Sequence, residues 1–163
     1  MRTTHVQIVM HSHVNNTNRL FGGRLMEWID VTAASAARRH AASEVTTATV
    51  DALEFIAPVH LNDLLILEAE VTWTGRTSIE VRVETYREAL NGDQHLVNRA
   101  YLLFVAVDDE GNPKPVKPFV PNGVVQQKEW ENALLRREYR LKLREECNRL
   151  AELQEQHGCR VRL

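Results

Sequence analysis

A chain of 163 residues, 44% apolar and 26% charged, is long enough to bury a core without disulfides or metals, and its composition is that of a globular protein. A net charge of −2 excludes the basic field that nucleic acid requires, and no run of about 18 apolar residues is present to span a membrane. Two cysteines, Cys147 and Cys159, give neither a disulfide framework nor a paired-thiol metal spacing, and the opening MRTTHVQIVMHSHV lacks an apolar signal region, so the expected setting is cytoplasmic.

Residues 3–10, rich in β-branched types, predict a first strand. The loop HSHVNNTNR follows. From Gly23 to about Ala42 the chain is free of proline and dense in Ala, Leu, Met and Arg. Leu25, Trp28, Ile29, Thr32, Ala33 and Ala36 recur at helical spacing, and the small residues of AASAA let another backbone approach closely. Four strands are predicted next. Residues 46–58 end at Pro58. Residues 64–74 alternate, with Leu67, Ala69, Val71 and Trp73 on one face. Residues 77–88 alternate again, with Ile79, Val81 and Val83 opposite Glu80, Arg82 and Glu84. Residues 95–107, mostly apolar, read as a strand buried on both faces. Asn91-Gly92-Asp93 marks the turn between the last two. The proline-rich NPKPVKPFVP (112–121) must be extended and outside a central strand. Residues 128–156 predict one long charged helix whose apolar positions are Trp130, Leu134, Tyr139, Leu141, Cys147, Leu150 and Leu153, packed on the body or on a neighbouring subunit.

This order, one strand, one apolar helix, four strands joined by short turns and a last helix, predicts an α+β domain with the first helix packed across an antiparallel sheet. The domain is expected over 1–121, with a helical extension over 122–163.

Asp30 is the conspicuous residue of the first helix. A short carboxylate in a helix interior competes for backbone groups, so it is either an edge charge, solvated or paired with Arg24 or Arg38, or placed for a purpose. Asn15, Asn16 and Asn18 read as turn residues or as something more. Gly22-Gly23 at the helix entrance leaves N–H groups uncovered, an arrangement suited to an anion or a developing oxyanion. The His11/His13 pair has no third ligand at metal spacing, so no metal is expected, and His40 at the helix end complements the dipole.

NNTNRLFGGRLMEWID, followed at matching distances by VTTATVDALEFIAPV, TWTGRTSIEVRVETY and NRAYLLFVAVDDEGNPKPV, resembles the acyl-CoA hydrolase branch of the hotdog-fold acyl-CoA thioesterases. The likeness covers about residues 6–121. It implies a five-stranded antiparallel sheet wrapped around one long helix, and hydrolysis of acyl-CoA to a carboxylic acid and coenzyme A without a cofactor. It implies that Asp30 is general base or nucleophile, that Asn15 orients water or thioester, and that the Gly22 N–H polarises the carbonyl. Phe21, Gly23, Arg76, Thr77 and Ser78 correspond to coenzyme A contacts. The resemblance also implies a homodimer, commonly built into a trimer of dimers, with Asn15 and Gly22 of one subunit facing Asp30 of the other. Asn18 stands where the family usually has glycine. Asn is the residue best able to replace glycine at positive φ, so the loop is expected to keep its shape. Two other readings are a non-catalytic CoA-binding module and a hotdog hydratase or dehydratase; the latter lacks the expected histidine near Asp30.

Overall fold

The β-branched N-terminus forms β1 (Arg2–Ile8) in the computed structural model, which describes residues 2–156. The strand stops two residues short of the expected end. There the chain bends away, Val9 N–H donating to the Asp63 carbonyl and Asn62 N–H to the Val9 carbonyl, and a single 3-10 turn follows at His11–His13. Helix α1 (Gly22–Ala41) comes next, then β2 (Glu44–Phe55), β3 (Leu64–Thr74), β4 (Ser78–Glu88), β5 (Gln94–Val107) and α2 (Gly123–Gln156). The five strands form one sheet in the order β1-β3-β4-β5-β2, every neighbour antiparallel.

Helix α1 lies across the inner face of this sheet and touches all five strands. Its buried stripe, Leu25, Trp28, Ile29, Thr32, Ala33, Ala36 and Ala37, is the one its periodicity predicts, and the alanines bring the helix close to the strands. Facing it are Leu65, Leu67 and Ala69 of β3, Ile79, Val81 and Val83 of β4, and Ala100, Leu102 and Phe104 of β5. The helix stops at Ala42, which takes the left-handed conformation (φ 51°) and donates its N–H to the Arg38 carbonyl.

Two strand expectations are corrected. Trp73 does not share a face with Leu67, Ala69 and Val71. A register shift between Val71 and Trp73 sets Val71 opposite inward-facing Val81 but Trp73 opposite outward-facing Glu80. Strand β5 is fully buried only along its inner row; the alternate residues Tyr101, Leu103 and Val105 are half-buried, because α2 covers only part of the outer face.

The extension, α2, begins five residues earlier than expected and packs through the wrong-looking side. Leu134, Tyr139, Leu141 and Leu150 are exposed, Tyr139 by 72%, while Ala133 is fully buried. The side chain of Leu153 and all of Cys159 lie outside the described residues. What docks the helix is charge. Glu80, with no exposed surface, takes hydrogen bonds from Arg136 (2.8 Å), Arg140 (3.0 Å) and Thr72 (2.8 Å). Arg136 also bonds Glu129 (2.8 Å) and stacks 3.8 Å from the centre of the Tyr101 ring, while Arg82 of β4 reaches Glu129 at 3.1 Å. Arg140 pairs in addition with Asp51 of β2. Burial pushes the Asp51 carboxyl above its ordinary value, and the Arg140 guanidinium draws it back. On the outer face of β4, Arg82 and Glu84 pair within the sheet, with Glu70 and Arg99, but Glu80 is fully buried, so an apolar helix would leave it without a cation, whereas one presenting Arg136 and Arg140 satisfies it. Arg136→Met is therefore expected to destabilise the fold, toward the low end of roughly 3–5 kcal/mol because Arg140 still holds Glu80. Urea unfolding followed by circular dichroism measures it.

Candidate functional site

The loop ahead of α1 is built around one side chain. Asn15 Oδ1 accepts from Thr17 N–H (3.0 Å), Thr17 Oγ1 (2.7 Å) and Arg19 N–H (3.1 Å). Three donors on one oxygen fix the amide orientation, and the Asn15 NH2 group has no acceptor among the described residues. Asn18 adopts φ 55°, the conformation for which glycine is the usual residue, and the loop keeps its turn as expected. The loop is pinned to the body by Leu61 N–H to the Asn18 carbonyl (3.2 Å) and Leu20 N–H to the Val59 carbonyl (2.9 Å).

Phe21 caps α1 in an extended conformation, its own N–H held by the His13 carbonyl at 2.9 Å and its carbonyl receiving Arg24 N–H at 2.9 Å. The N–H groups of Gly22 and Gly23 have no acceptor among the described residues, so the positive end of a 20-residue helix opens outward there. A Cβ on Gly22 would meet the Phe55 ring at 3.4 Å, which shows how closely β2 approaches this turn. Between them lies a cleft of 280 Å³ lined by Gly22, Leu25, Phe55, Ala57 and Val59 and by the exposed Arg19.

Asp30 sits eight residues further along α1, roughly 12 Å down the axis from Gly22. It is half-buried, and neither Arg24 nor Arg38 pairs with it: Arg24 binds Glu27 and Arg38 binds Glu44. Its partner is Thr47 of β2, whose Oγ1 donates to Asp30 Oδ1 at 2.8 Å. Thr47 escaped the sequence reading because a threonine in a β-branched strand carries no sign of what its hydroxyl does. His13 was weighed only as a metal ligand; its Nδ1 instead accepts Met10 N–H at 3.1 Å and its ring meets Trp28 edge-on at 5.0 Å. Likewise His40 bonds the Lys117 carbonyl at 2.9 Å, tying down the proline-rich segment.

Gly75, Arg76, Thr77 and Ser78 form the β3–β4 turn, with Arg76 exposed and its carbonyl receiving Val116 N–H at 2.9 Å. This turn lies beyond the end of β3, whereas the segment that pins the Asn15 loop precedes its start, so roughly 30 Å of strand separates the two. Within one chain, then, Asn15, Phe21, Gly22 and Gly23 form one group, Asp30 with Thr47 a second, and Arg76, Thr77 and Ser78 a third.

The fold and this arrangement define a member of the thioesterase superfamily, which residues 17–91 match. More narrowly, the chain belongs to the hotdog-fold acyl-CoA thioester hydrolases. An acyl-CoA hydrolase of Staphylococcus aureus, solved with butyryl coenzyme A, coenzyme A and coenzyme A disulfide, is 34% identical, with 94% of each chain covered and a TM-score of 0.87. A hexameric acyl-CoA thioesterase is 38% identical, covering 86% of this chain and 91% of that one, with a TM-score of 0.83. An acyl-CoA thioester hydrolase of Bacillus subtilis is 44% identical over 66% of this chain, which spans 63% of that relative's length. Among the described residues no helix is long and apolar enough to cross a membrane.

Proposed function

We propose that the protein hydrolyses acyl-CoA thioesters, with Asp30 as the general base. The observation that carries this is the Thr47–Asp30 hydrogen bond. It fixes one carboxylate oxygen and leaves the other to take a proton from water. The S. aureus hydrolase has also been solved with an asparagine, an aspartate and a threonine each replaced by alanine. Those three positions follow one another at intervals of fifteen and seventeen residues, the intervals that separate Asn15, Asp30 and Thr47 here.

The step is then as follows. Water attacks the thioester carbonyl while Asp30 removes its proton. The carbonyl oxygen, gaining negative charge, is held by the Gly22 N–H and the Asn15 NH2. The carbon–sulfur bond breaks, and coenzyme A leaves as a thiolate that regains a proton. Gly22 and Asp30 of one helix lie roughly 12 Å apart, too far to hold one reacting carbon between them. A second copy supplies the missing half. Strand β2 is an edge strand of twelve residues, mostly exposed on both faces, and Val50, Phe55, Met26 and Val31 beside it are exposed apolar side chains. Edge-to-edge pairing of two β2 strands would cover them and carry the partner's α1 across the cleft. Arg76, Thr77 and Ser78, remote from Gly22 in their own chain, serve coenzyme A by the same reasoning: Arg76 gives phosphate a planar fork of donors and the two hydroxyls add hydrogen bonds.

The test is release of free thiol from acyl-CoAs of graded chain length; coenzyme A binding without any turnover would replace this reading with that of a binding module. Thr47→Val is expected to lower kcat about tenfold with little change in KM, because the hydroxyl orients the base and touches no substrate. Steady-state kinetics on the best acyl-CoA would check it.

A further inference from the structure

The cleft beside Gly22 has walls of one chemical kind. Apart from Gly22 and the exposed Arg19, every side chain lining it is apolar. Two of these, Leu25 and Val59, are buried and belong to the core, so the cleft runs from the glycine turn to the edge of the core. The main chain along the walls is closed as well. Leu20 N–H donates to the Val59 carbonyl at 2.9 Å, Leu25 N–H to the Phe21 carbonyl at 3.3 Å, and Ile56 and Ala57 N–H to the Val97 carbonyl at 2.9 and 3.3 Å. Arg19 N–H is taken by Asn15 Oδ1, and Pro58 has no N–H to give. The Gly22 N–H, by contrast, has no acceptor among the described residues.

Such walls suit one part of an acyl-CoA better than the other. The pantetheine arm carries amides, whose carbonyls would be left without donors here, and an unpaired amide out of water is costly. An alkyl chain asks for no partner. The space, 280 Å³, lies just below the range of about 300–1,000 Å³ usual for small-molecule pockets, so it suits a chain of modest length. Phe55, the last residue of β2, stands closest to the chemistry: a Cβ on Gly22 would meet its ring at 3.4 Å. The ring itself is 57% exposed, and the backbone holds it in place. Just before it the Glu54 carbonyl accepts from the Asn98 amide nitrogen at 2.7 Å, and just after it Ile56 N–H is bonded to Val97. Shortening the side chain would therefore enlarge the cleft without unseating its wall.

We propose that this cleft takes the acyl chain of the substrate, an unbranched apolar chain of short to medium length, and that Phe55 is the residue that sets the length. With the thioester carbonyl at the Gly22 N–H, the chain runs along the Phe55 ring toward Leu25 and Val59. A single methylene accepted or refused by an apolar pocket changes kcat/KM by about 10–200-fold, so one aromatic ring beside the reacting carbonyl is enough to decide which chains are used. The inference rests on the hydrolase reading above and names its substrate class.

Phe55→Ala removes the ring and Phe55→Trp enlarges it, both at an exposed position where the fold tolerates the change. The full-length protein and both variants are assayed with butyryl-CoA, octanoyl-CoA and lauroyl-CoA. The wild type is expected to give its highest kcat/KM on butyryl-CoA or octanoyl-CoA. Phe55→Ala is expected to raise the lauroyl-to-butyryl ratio of kcat/KM about tenfold, and Phe55→Trp to lower it. A wild type that prefers lauroyl-CoA overturns the limit on length, and a ratio that fails to rise in Phe55→Ala, or rises in both variants, overturns the role of Phe55. A KM raised equally for all three thioesters, with weaker binding of coenzyme A itself, puts the pantetheine arm in the cleft and overturns the proposal outright. If the wild type hydrolyses none of the three, the hydrolase reading itself fails, and calorimetric binding of the same compounds to wild type and Phe55→Ala, judged by the same ratio, decides the cleft independently.

Discussion

Asp30→Asn is expected to reduce kcat for acyl-CoA hydrolysis by ~10²–10⁴, the usual loss when a positioned base is removed. Stability is expected to change little. Asp30 is half-buried and its one hydrogen bond among the described residues is to Thr47, which an asparagine oxygen also accepts. Coenzyme A affinity should hold as well if, as proposed, Arg76, Thr77 and Ser78 take that part of the substrate. Loss of turnover together with a wild-type melting curve and wild-type coenzyme A binding by calorimetry is the expected result. Full activity in this variant would remove Asp30 from the chemistry and return it to an edge charge bonded to a strand hydroxyl. The size of the drop also separates the two roles the residue could take. A nucleophile lost outright leaves only background hydrolysis, whereas a lost base still leaves the thioester carbonyl polarised by the Gly22 and Asn15 donors and open to water, so a residual rate well above the uncatalysed one favours the base.

How much of this was legible in the sequence depends on whether a feature is periodic. The stripe from Leu25 to Ala36 repeats at helical spacing, and the alternation of β4 repeats at strand spacing, so α1 and the sheet could be read with little loss. Single-residue irregularities leave no such trace. The register shift that turns Trp73 outward is one extra residue in one strand, and alternation extrapolated through it puts the side chain on the wrong face. The docking of α2 was hidden for a different reason. Its packed residues are Glu129, Arg136 and Arg140, and their partners Glu80 and Asp51 lie far away along the chain, so hydropathy marked the exposed leucines and passed over the charged face that is in fact buried. At the site, Asn15, Gly22 and Asp30 were named by their spacing within a family resemblance; from the helix pattern alone Asp30 was as well explained as an edge charge. Thr47 had no sequence signal, because a hydroxyl in a strand reads the same whether it faces solvent or a carboxylate.

Mixing two inactive variants is expected to restore activity. Asn15→Ala keeps a good Asp30, and Asp30→Asn keeps a good Asn15 and Gly22. If each site draws Asn15 and Gly22 from one subunit and Asp30 from its partner, a mixed dimer holds one intact site and one doubly defective site. After unfolding and refolding together at equal concentration, random pairing makes half the dimers mixed and gives about a quarter of wild-type activity, from parents each at about a hundredth or less. A site contained within one chain gives the opposite outcome, since every subunit in the mixture then carries one lesion and activity stays at the parental level. The geometry favours restoration. Asp30 and Gly22 are fixed on one rigid helix roughly 12 Å apart, and no side-chain movement of a short aspartate closes that gap. The free edge of β2, bearing Thr47 near one end and Phe55 at the other, is where a second helix can arrive antiparallel to the first, setting each Asp30 against the other chain's glycine turn.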